Sequence, residues 1–374
     1  MIIIGDALTE LKRLESESIQ CCVTSPPYWG LRDYGTATWV GGDSDCDHRG
    51  IEARTVSGGA GKQYTNVGSN RVYSGDCRCG AKRIDSQLGL EKTPEEYVDK
   101  MVEIFREVRR ILRSDGILFL NLGDTYYNYR GDSDFSIKQT IASHEGHAMH
   151  SPSGKRNYKN PNLKGKDLVG IPWMVAFALR SDGWWLRQDI IWSKPNPMPE
   201  SVTDRCTKAH EYIFLLTKSS KYYYDADAIA EPISTFENRP DGVVRDRIYG
   251  YDSKQAKMRK RSSTFKQAIK CGNSQGGSEY IICDGKRNKR SVWTINTQPY
   301  PEAHFAVFPD EIPANCIKAG SKEGDVILDP FLGSGTTAQV AKKLGRKYIG
   351  IELNPEYLPL INRRLAQEEL FGAD

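Results

Sequence analysis

The chain has 374 residues, with 39% apolar and 10% aromatic side chains, a composition typical of a soluble globular protein. Its long apolar runs, such as YIFLLT and GILFLNL, are too short to span a bilayer, and the N-terminus turns polar after four residues, unlike a signal peptide. We therefore expect a cytoplasmic protein whose nine cysteines are reduced thiols or metal ligands rather than disulfides.

The net charge of +4 is unevenly distributed along the chain. Residues 239–290 contain fourteen Lys or Arg and five Asp or Glu, an excess of nine, so the rest of the chain carries about −5. A basic segment of this kind indicates an anionic polymer as partner. Charge alone would favour the alternative, which is a solvated loop.

The N-terminal half predicts strands that alternate with helices. We predict a short strand in MIIIGDA, a helix in LTELKRL and a buried strand in IQCCVTS, which the two following prolines end because they remove consecutive backbone donors. A long amphipathic helix is expected over residues 93–112, with Thr93 as N-cap, Pro94 in the first turn and Glu96 completing a capping box. Another buried strand is expected in GILFLNLGD.

The C-terminal half continues this alternation. We predict a helix in LVGIPWMVAFALRSDG, strands in WWLRQDIIWSK and HEYIFLLTKS, and a helix in AHFAVFPDEIPANCIKAG. From Asp325 onward the order is strand, Gly-rich turn, helix, strand and helix. This alternation indicates an α/β fold with a mostly parallel sheet and helices on both of its faces.

The Gly-rich turn in ILDPFLGSGTTAQVAKKLG lies between a strand and a helix, where Rossmann-type folds bind nucleotides. Gly333 and Gly335 would let the backbone approach a ligand. The chain lacks the G-x-G-x-x-G spacing and the Gly-Lys-Ser/Thr ending here, so we expect a nucleoside without a pyrophosphate. Asp329 and Glu352 end the two neighbouring strands, where acids bind ribose hydroxyls. A tight structural turn is the alternative.

A resemblance to a known family is carried by DPFLGSGTT and GIELN, together with TSPPY upstream. These motifs resemble those of the amino-group DNA methyltransferases, which use S-adenosylmethionine, and their order is that of the family's beta group. The resemblance covers residues 1–40, 90–125, 170–225 and 291–365. We accordingly expect one Rossmann-like domain with a seven-stranded, mostly parallel sheet, inserted loops and a small target-recognition region.

The resemblance implies a set of cofactor-binding residues. Asp6, in GDAL, fits the position of an acid near the cofactor adenine. The helix predicted in AHFAVFPDEIPANCI resembles the one that covers the methionine moiety. The residues expected around S-adenosylmethionine are Asp6, Asp329, Phe331, Gly333, Ser334, Gly335, Thr336, Glu352 and Asn354.

The same family holds its target base with a turn that here consists of Ser25, Pro26, Pro27 and Tyr28. The exocyclic amine of the base must line up behind the methyl sulfonium, and hydrogen bonds to Ser25 Oγ and the Pro26 carbonyl would free the nitrogen lone pair. The prolines fix that carbonyl in advance. Tyr28 would stack on a base flipped out of the duplex. The alternative is a rigid turn that only packs an aromatic side chain.

The identity of the base is predicted from Ser25. In the family, a serine at this position goes mostly with cytosine N4, and an aspartate or asparagine mostly with adenine N6. We expect cytosine N4, with adenine N6 as the alternative. Cys21 and Cys22 suggest methylation at cytosine C5 as another alternative, which needs an activated thiolate as nucleophile. Because both cysteines lie in an apolar strand, we interpret them as buried core residues instead. An RNA or protein methyltransferase and a non-catalytic DNA-binding subunit are further alternatives, and the intact motifs disfavour the last.

A structural zinc site is predicted in the segment after the first proline turn. CDH at residues 46–48 and CRC at residues 77–79 supply a Cys₃His set of ligands. The expected ligands are Cys46, His48, Cys77 and Cys79. Free surface thiols are the alternative, because each pair has only one intervening residue. We interpret His144, His147 and His150 as part of a solvated loop.

Double-stranded DNA is the expected partner. We assign residues 1–40, 90–225 and 291–374 to the catalytic core, residues 41–89 to an inserted loop and residues 226–290 to target recognition. The residues expected to contact DNA phosphates are Lys194, Arg205, Lys257, Arg259, Lys260 and Arg261. Surface ion pairing is the alternative for Lys194, Asn196 and Arg205. The sequence leaves open the oligomeric state and whether a cognate restriction endonuclease exists.

Overall fold

The computed structural model describes residues 1–30, 36–46, 77–127, 160–232, 286–298 and 308–366. The chain divides into two compact units, one formed by Met1–Tyr223 together with Val292–Asp374 and the other by Tyr224–Ser291. Within the described residues, no helix is both long enough and apolar enough to cross a membrane.

The secondary structure of the described residues alternates as the sequence predicts. Its strands are β1 (Ile2–Ile4), β2 (Ile19–Thr24), β3 (Thr38–Val40), β4 (Lys82–Ile84), β5 (Leu112–Leu122), β6 (Trp185–Ser193), β7 (His210–Thr217), β8 (Glu231–Pro232), β9 (Lys286–Arg287), β10 (Val292–Thr294), β11 (Val326–Asp329) and β12 (Lys347–Glu352). Its α-helices are α1 (Ala7–Arg13), α2 (Pro94–Ile111), α3 (Ile171–Ser181), α4 (Glu311–Gly320), α5 (Thr336–Lys343) and α6 (Leu358–Ala366).

The first unit is built on one sheet of eight strands in the order β1, β12, β11, β2, β5, β7, β6 and β10. All neighbours in it are parallel except β7, which is antiparallel to both β5 and β6. The mostly parallel α/β sheet is thus confirmed, but the expected number of seven strands is one too few. The sheet gains an edge strand in β10, whose three residues alternate exposed, buried and exposed around Trp293 and therefore form no apolar run.

The helix α2 follows the capping signals of its sequence. Thr93 Oγ1 accepts a hydrogen bond from the backbone N–H of Glu96 at 3.1 Å, and Pro94 lies in the first turn. The Glu96 carboxylate accepts from the backbone N–H of Lys92 at 3.0 Å, one residue before the N-cap. Apolar side chains at the helical period form its buried face, namely Tyr97, Val98, Met101, Ile104, Phe105, Val108 and Ile111.

The central strand β2 is buried along its whole length. Cys21 and Cys22 are fully buried in it, and burial raises the pKa of both thiols. They are core cysteines, as expected. A thiol nucleophile would need a lowered pKa, and the pKa of these two is raised.

One edge of this sheet gathers polar residues from distant parts of the chain. The parallel strands β1, β2, β5, β6, β11 and β12 all end there, and β7 begins there because it runs in the opposite direction. Glu211, near the start of β7, therefore lies at the edge where the parallel strands end. Ligands of open α/β sheets bind at this edge.

Two small antiparallel pairs lie outside the large sheet. In the first unit, β3 pairs with β4, and Val40 and Ile84 are exposed on them. In the second unit, β8 pairs with β9, and the Glu231 carboxylate accepts hydrogen bonds from Arg287 at 3.0 Å and Arg290 at 2.6 Å.

Candidate active site

The carboxylate of Asp329, at the end of β11, is held by the protein itself. Its two oxygens accept hydrogen bonds from Thr24 Oγ1 at 2.6 Å, Thr337 Oγ1 at 2.7 Å and the backbone N–H of Phe331 at 3.1 Å. Burial raises the pKa of Asp329 to about 6, and these hydrogen bonds counteract the rise. Asp329 therefore fixes the start of the Gly-rich turn.

Glu352, at the end of the adjacent strand β12, is buried but has accepting capacity left. One oxygen accepts from the backbone N–H of Gly333 and the other from that of Asn354, both at 2.8 Å. Burial raises the pKa of Glu352 to about 7. A carboxylate oxygen accepts up to two hydrogen bonds, so each can still accept one from a ligand hydroxyl.

The Gly-rich turn leads from β11 into α5. Gly333 and Gly335 have φ angles of 55° and 88°, the left-handed region that glycine adopts without strain. Thr336 Oγ1 is buried and finds no hydrogen-bond partner among the described residues. Ser334 Oγ accepts a hydrogen bond at 2.9 Å from Arg364, a buried side chain of α6. Arg364 therefore stabilises the turn, and the Thr336 hydroxyl is the polar group of the turn that has no partner among the described residues.

Asp6 and Asn354 both act as caps of short helical segments. The Asp6 carboxylate accepts hydrogen bonds from the backbone N–H and the hydroxyl of Thr9, at 2.9 and 2.8 Å, and so caps α1. The Asn354 side chain accepts from the backbone N–H of Glu356 at 3.0 Å and begins a short 3₁₀ turn. Local capping therefore accounts for part of what these residues do.

The turn after β2 is rigid because several groups hold it. The Pro27 carbonyl accepts a hydrogen bond from Tyr97 Oη at 3.0 Å, and the indole N–H of the buried Trp29 donates to the Glu91 carbonyl at 3.0 Å. A methyl group on Gly123 would lie 2.5 Å from the ring of Tyr28, so this glycine makes room for the tyrosine.

Tyr28 lies at the centre of a polar network. Ser25 Oγ donates to Tyr28 Oη at 3.3 Å, and Tyr28 Oη lies 2.8 Å from a Glu211 oxygen and 3.1 Å from Asn121 Oδ1. Burial, and then the charge of Glu211, raise the pKa of Tyr28 well above its ordinary value. The phenol therefore stays protonated at neutral pH.

Glu211 is the site residue that the sequence did not reveal. Its other oxygen forms an ion pair with Lys194, whose ammonium group also lies 4.1 Å from the ring centroid of Trp192. Arg205 is likewise paired, with Glu200, and stacks on Tyr126 at 3.9 Å from the ring centroid. The predicted contacts of Lys194 and Arg205 with DNA remain predictions, and both side chains already have acidic partners.

One cavity of about 1250 Å³ joins the Gly-rich turn to the proline turn. The predicted residues that line it are Asp6, Ser25, Pro26, Pro27, Tyr28, Lys194, Asp329, Phe331, Gly333, Ser334, Thr336 and Glu352. Gly335, Asn354 and Arg205 are not among the lining residues. The cavity can hold a nucleoside at the carboxylate of Glu352 and a second planar group at Ser25.

Three of the four predicted zinc ligands also come together. The sulfur atoms of Cys46, Cys77 and Cys79 all lie within 4.8 Å of one another, next to the β3–β4 pair. Hydrogen bonds from the backbone of Ala81 and then Asp43 lower the pKa of the Cys79 thiol to about 6.

Other predicted residues lie outside the described part of the chain. These are His48, the three histidines interpreted as a solvated loop, and the basic residues Lys257, Arg259, Lys260 and Arg261.

Comparison with known proteins gives a consistent result. A family model described as DNA methylase matches residues 19–363. The chain is 38% identical to the Type II methyltransferase M.Cfr9I of Citrobacter freundii, over 98% of this chain and 87% of that protein. It is 39% identical to the Type II methyltransferase M.SmaI of Serratia marcescens, over 97% and 90%. The solved structure of the cytosine-N4-specific PvuII DNA methyltransferase matches with a TM-score of 0.53 at 16% identity, over 97% of this chain and 85% of that chain, a likeness of fold.

Proposed function

We propose that this chain, which belongs to the DNA methylase family of amino-group DNA methyltransferases, modifies cytosine at N4. The chain is a site-specific DNA methyltransferase, and a methyl group passes from S-adenosylmethionine to the exocyclic amine of a base. The choice of base rests on one observation, the serine at the head of the Ser25–Tyr28 turn. Adenine N6 is the alternative.

The direction of the Ser25 hydrogen bond supports transfer to an exocyclic amine, whichever base carries it. Its hydroxyl donates to Tyr28 Oη, which leaves the lone pairs of Ser25 Oγ free to accept from an incoming amine. With the Pro26 carbonyl as second acceptor, both amine protons would be bound and the nitrogen lone pair would point at the methyl donor. The Pro27 carbonyl is already fixed by Tyr97, so little of the turn remains to be ordered.

The residues at the Gly-rich turn fit S-adenosylmethionine, which supplies an electrophilic methyl group when bound. We assign Glu352 to the ribose hydroxyls, because its oxygens retain accepting capacity beside the cavity. Thr336 offers an unpartnered hydroxyl, and Gly333 leaves open space beside the backbone. Asp6 lines the same cavity and is assigned to the adenine side, as the family resemblance implies. Asp329 holds the turn.

Mass spectrometry of nucleosides tests the base. DNA of varied sequence is methylated in vitro by the full chain and digested to nucleosides. We expect N4-methylcytosine, and loss of the product with Ser25→Ala at nearly unchanged cofactor affinity, because the hydroxyl acts on the amine in the transition state. N6-methyladenine alone would overturn the assignment of the base and leave the family chemistry in place.

The second compact unit is our candidate for target recognition. Its bounds, Tyr224–Ser291, nearly coincide with residues 226–290, the region predicted for this role. That region contains the basic segment, and Lys and Arg side chains neutralise phosphates. The remaining assignments of residues 1–40, 90–225 and 291–374 to the core and of 41–89 to an insertion are part of the same proposal. A cognate endonuclease also stays a prediction, which a nuclease gene beside this one would support.

We further assign a structural zinc ion to Cys46, Cys77 and Cys79, with His48 as the predicted fourth ligand. Three sulfur atoms within 4.8 Å of one another fit the coordination of one ion. Backbone N–H groups of Ala81 and Asp43 point at the sulfur of Cys79, as expected for a thiolate. A methyl group on Gly42 would lie 2.7 Å from that sulfur, so the glycine lets the chain wrap around it.

Metal analysis of protein purified without chelator tests the zinc assignment. We expect about one equivalent of zinc, its loss in Cys77→Ser, and its retention in the control Cys206→Ser, which removes an exposed thiol outside the cluster. Less than about a tenth of an equivalent in the unmodified protein would refute the site, because structural zinc binds tightly enough to survive purification.

A further inference from the structure

Glu211 occupies a position that the family motifs do not explain. Its side chain is only 16% exposed and faces the cavity beside the proline turn. One oxygen is 2.8 Å from Tyr28 Oη and 3.3 Å from Asn121 Nδ2, and the other is paired with Lys194. A carboxylate held this firmly at the bottom of a substrate pocket requires a reason, because its burial is costly.

The hydrogen bonds here form a chain with a direction. Ser25 Oγ donates to Tyr28 Oη, and Tyr28 Oη donates to Glu211. Asn121 Oδ1 is a competing acceptor for the Tyr28 proton, but it is farther away at 3.1 Å and is uncharged. The chain therefore runs from the place where the target amine would bind to a carboxylate at its far end.

We propose that Glu211 is the final proton acceptor of the methyl transfer, reached from the target amine through Ser25 and Tyr28. This inference rests on the proposed function, although it holds for either base. The amine lone pair forms the new N–C bond while the C–S bond of the donor breaks, and its electrons stay on sulfur as a neutral thioether. The nitrogen is then positively charged and must lose a proton.

The relay moves that proton in three linked steps. The proton passes from nitrogen to Ser25 Oγ, the Ser25 proton passes to Tyr28 Oη, and the Tyr28 proton passes to Glu211. Both hydroxyls end neutral, so neither has to become an anion, which suits the raised pKa of the Tyr28 phenol. The carboxyl group that forms on Glu211 releases its proton to solvent when the product leaves.

Lys194 is a positioning residue in this scheme. Its ammonium group compensates the buried charge of Glu211 and is itself held over the ring of Trp192. Among the described residues, the other polar and charged groups near Glu211 come from β5, from β7 and from the segments next to these strands. Asn121 is near the end of β5, and His210 precedes Glu211 in β7. Lys208 lies just before β7 and interacts with the charges of Glu211 and of Asp124, which follows β5.

The proposal is tested with Tyr28→Phe, Glu211→Gln and the double variant, measured as single-turnover methylation at saturating DNA and cofactor. Tyr28→Phe keeps the ring and leaves the Glu211–Lys194 pair intact. We expect each single variant to be slower by about a hundredfold, the usual contribution of a positioned acid–base group. The double variant should be no slower than the slower single variant, because the members of a relay act as a unit.

The pH profile separates a proton acceptor from a structural residue. The unmodified enzyme should lose rate at low pH as Glu211 takes up a proton, and this acidic limb should be absent in Glu211→Gln. Cofactor affinity should be unchanged in both variants. The control Glu107→Gln removes a carboxylate that pairs with Arg110 on α2, away from the cavity, and should retain the rate and the profile of the unmodified enzyme.

Two results would overturn the relay. In the first, the rates of both single variants are within about twofold of the unmodified rate. In the second, the rate losses of the single variants multiply in the double variant, and the loss of rate at low pH is the same in Glu211→Gln as in the unmodified enzyme. If Glu211→Gln does not fold, Tyr28→Phe decides the matter alone. Failure of the proposed function looks different, because the unmodified protein would then yield no methylated nucleoside at all.

Discussion

The buried carboxyl groups of Asp329 and Glu352 end neighbouring strands but differ in their hydrogen-bond partners. Asp329 accepts three hydrogen bonds from the protein, two of them from threonine hydroxyls. Glu352 accepts two, both from backbone N–H groups, and borders the cavity. The sequence predicted that both acids lie at the cofactor but could not show that the protein itself occupies Asp329. One of the groups that does so is the hydroxyl of Thr24, which lies 305 residues away in sequence.

Replacing Glu352 by Ala should weaken the binding of S-adenosylmethionine by about 1–3 kcal/mol, since the ribose hydroxyls lose a buried charged acceptor. Isothermal titration calorimetry measures this directly. The control is Glu356→Ala, which removes an exposed carboxylate four residues further along and should leave the affinity unchanged. Equal affinities of all three proteins would refute the assignment of Glu352.

The raised pKa values of these two groups predict a pH dependence. Burial raises the pKa of Asp329 to about 6 and of Glu352 to about 7, above the values of the unfolded chain. The folded state therefore holds these protons more tightly, so the stability they contribute is full at low pH and is lost as the pH rises through about 4 to 7. Bound ligand hydroxyls favour ionised Glu352, so cofactor affinity should rise over the upper part of this range.

Thermal unfolding with and without S-adenosylmethionine checks this expectation. The increase in Tm caused by the cofactor should grow between acidic and neutral pH in the unmodified protein. In Glu352→Gln, which cannot ionise, that growth should be absent. A cofactor-induced increase that is independent of pH in the unmodified protein would contradict the role given to Glu352.

At the scale of elements, the predictable parts are those whose side chains show a clear period. The helix α2 has its predicted buried face and N-cap, because amphipathic spacing and capping are local properties of the sequence. The reversed direction of β7 was not predictable, since it depends on pairing with β5 and β6. That reversal places Glu211 beside Tyr28, 183 residues apart in sequence. A polar residue at a strand start gives no signal of such a contact.

The Gly-rich turn depends on α6 for its position. Arg364 is buried and donates to Ser334 Oγ at 2.9 Å, Gln339 Oε1 at 2.7 Å and Asp310 at 3.1 Å. One guanidinium group thus joins the turn, α5 and the start of α4. Because it reaches all three at once, the planar fork of arginine suits this place better than lysine would.

Replacing Arg364 by Met should lower the free energy of unfolding by about 1–3 kcal/mol, because buried partners lose their hydrogen bonds. Cofactor affinity should fall as well, since Ser334 lies in the turn. Urea unfolding and calorimetry measure the two effects. Arg363→Met is the matched control, an exposed position on the same helix, and should change both quantities less than Arg364→Met does, because its side chain is not buried. Equal stability of the two variants would show that the network does not brace the turn.

At the scale of the whole molecule, positive charge is concentrated in one segment of the second compact unit. The basic segment of residues 239–290 has an excess of nine positive charges, and the rest of the chain is slightly acidic. If this segment binds DNA phosphates, as we propose, the concentration of positive charge in one part of the chain limits repulsion and favours docking in one orientation. The sequence establishes this segregation, but the path of DNA depends on three-dimensional positions that the sequence does not give.

Neutralising the basic cluster to Gln tests whether that segregation serves DNA binding. The four changed residues are Lys257, Arg259, Lys260 and Arg261. For every phosphate that the variant no longer neutralises, the plot of log affinity against log salt should flatten by about 0.9, because fewer counterions are released on binding. The affinity for S-adenosylmethionine should stay the same, since the residues that we propose to bind the cofactor belong to the first unit. Binding of duplex DNA, followed by fluorescence anisotropy at several salt concentrations, supplies both the affinity and the slope.

The control neutralises an equal number of exposed basic residues on the first unit, namely Lys12, Arg13, Lys318 and Lys347. The control removes the same net charge, so a larger effect of the cluster variant on DNA binding must come from the position of the four residues and not from total charge. Equal slopes for the cluster variant, the control and the unmodified protein would mean that these four residues are only a solvated part of the surface.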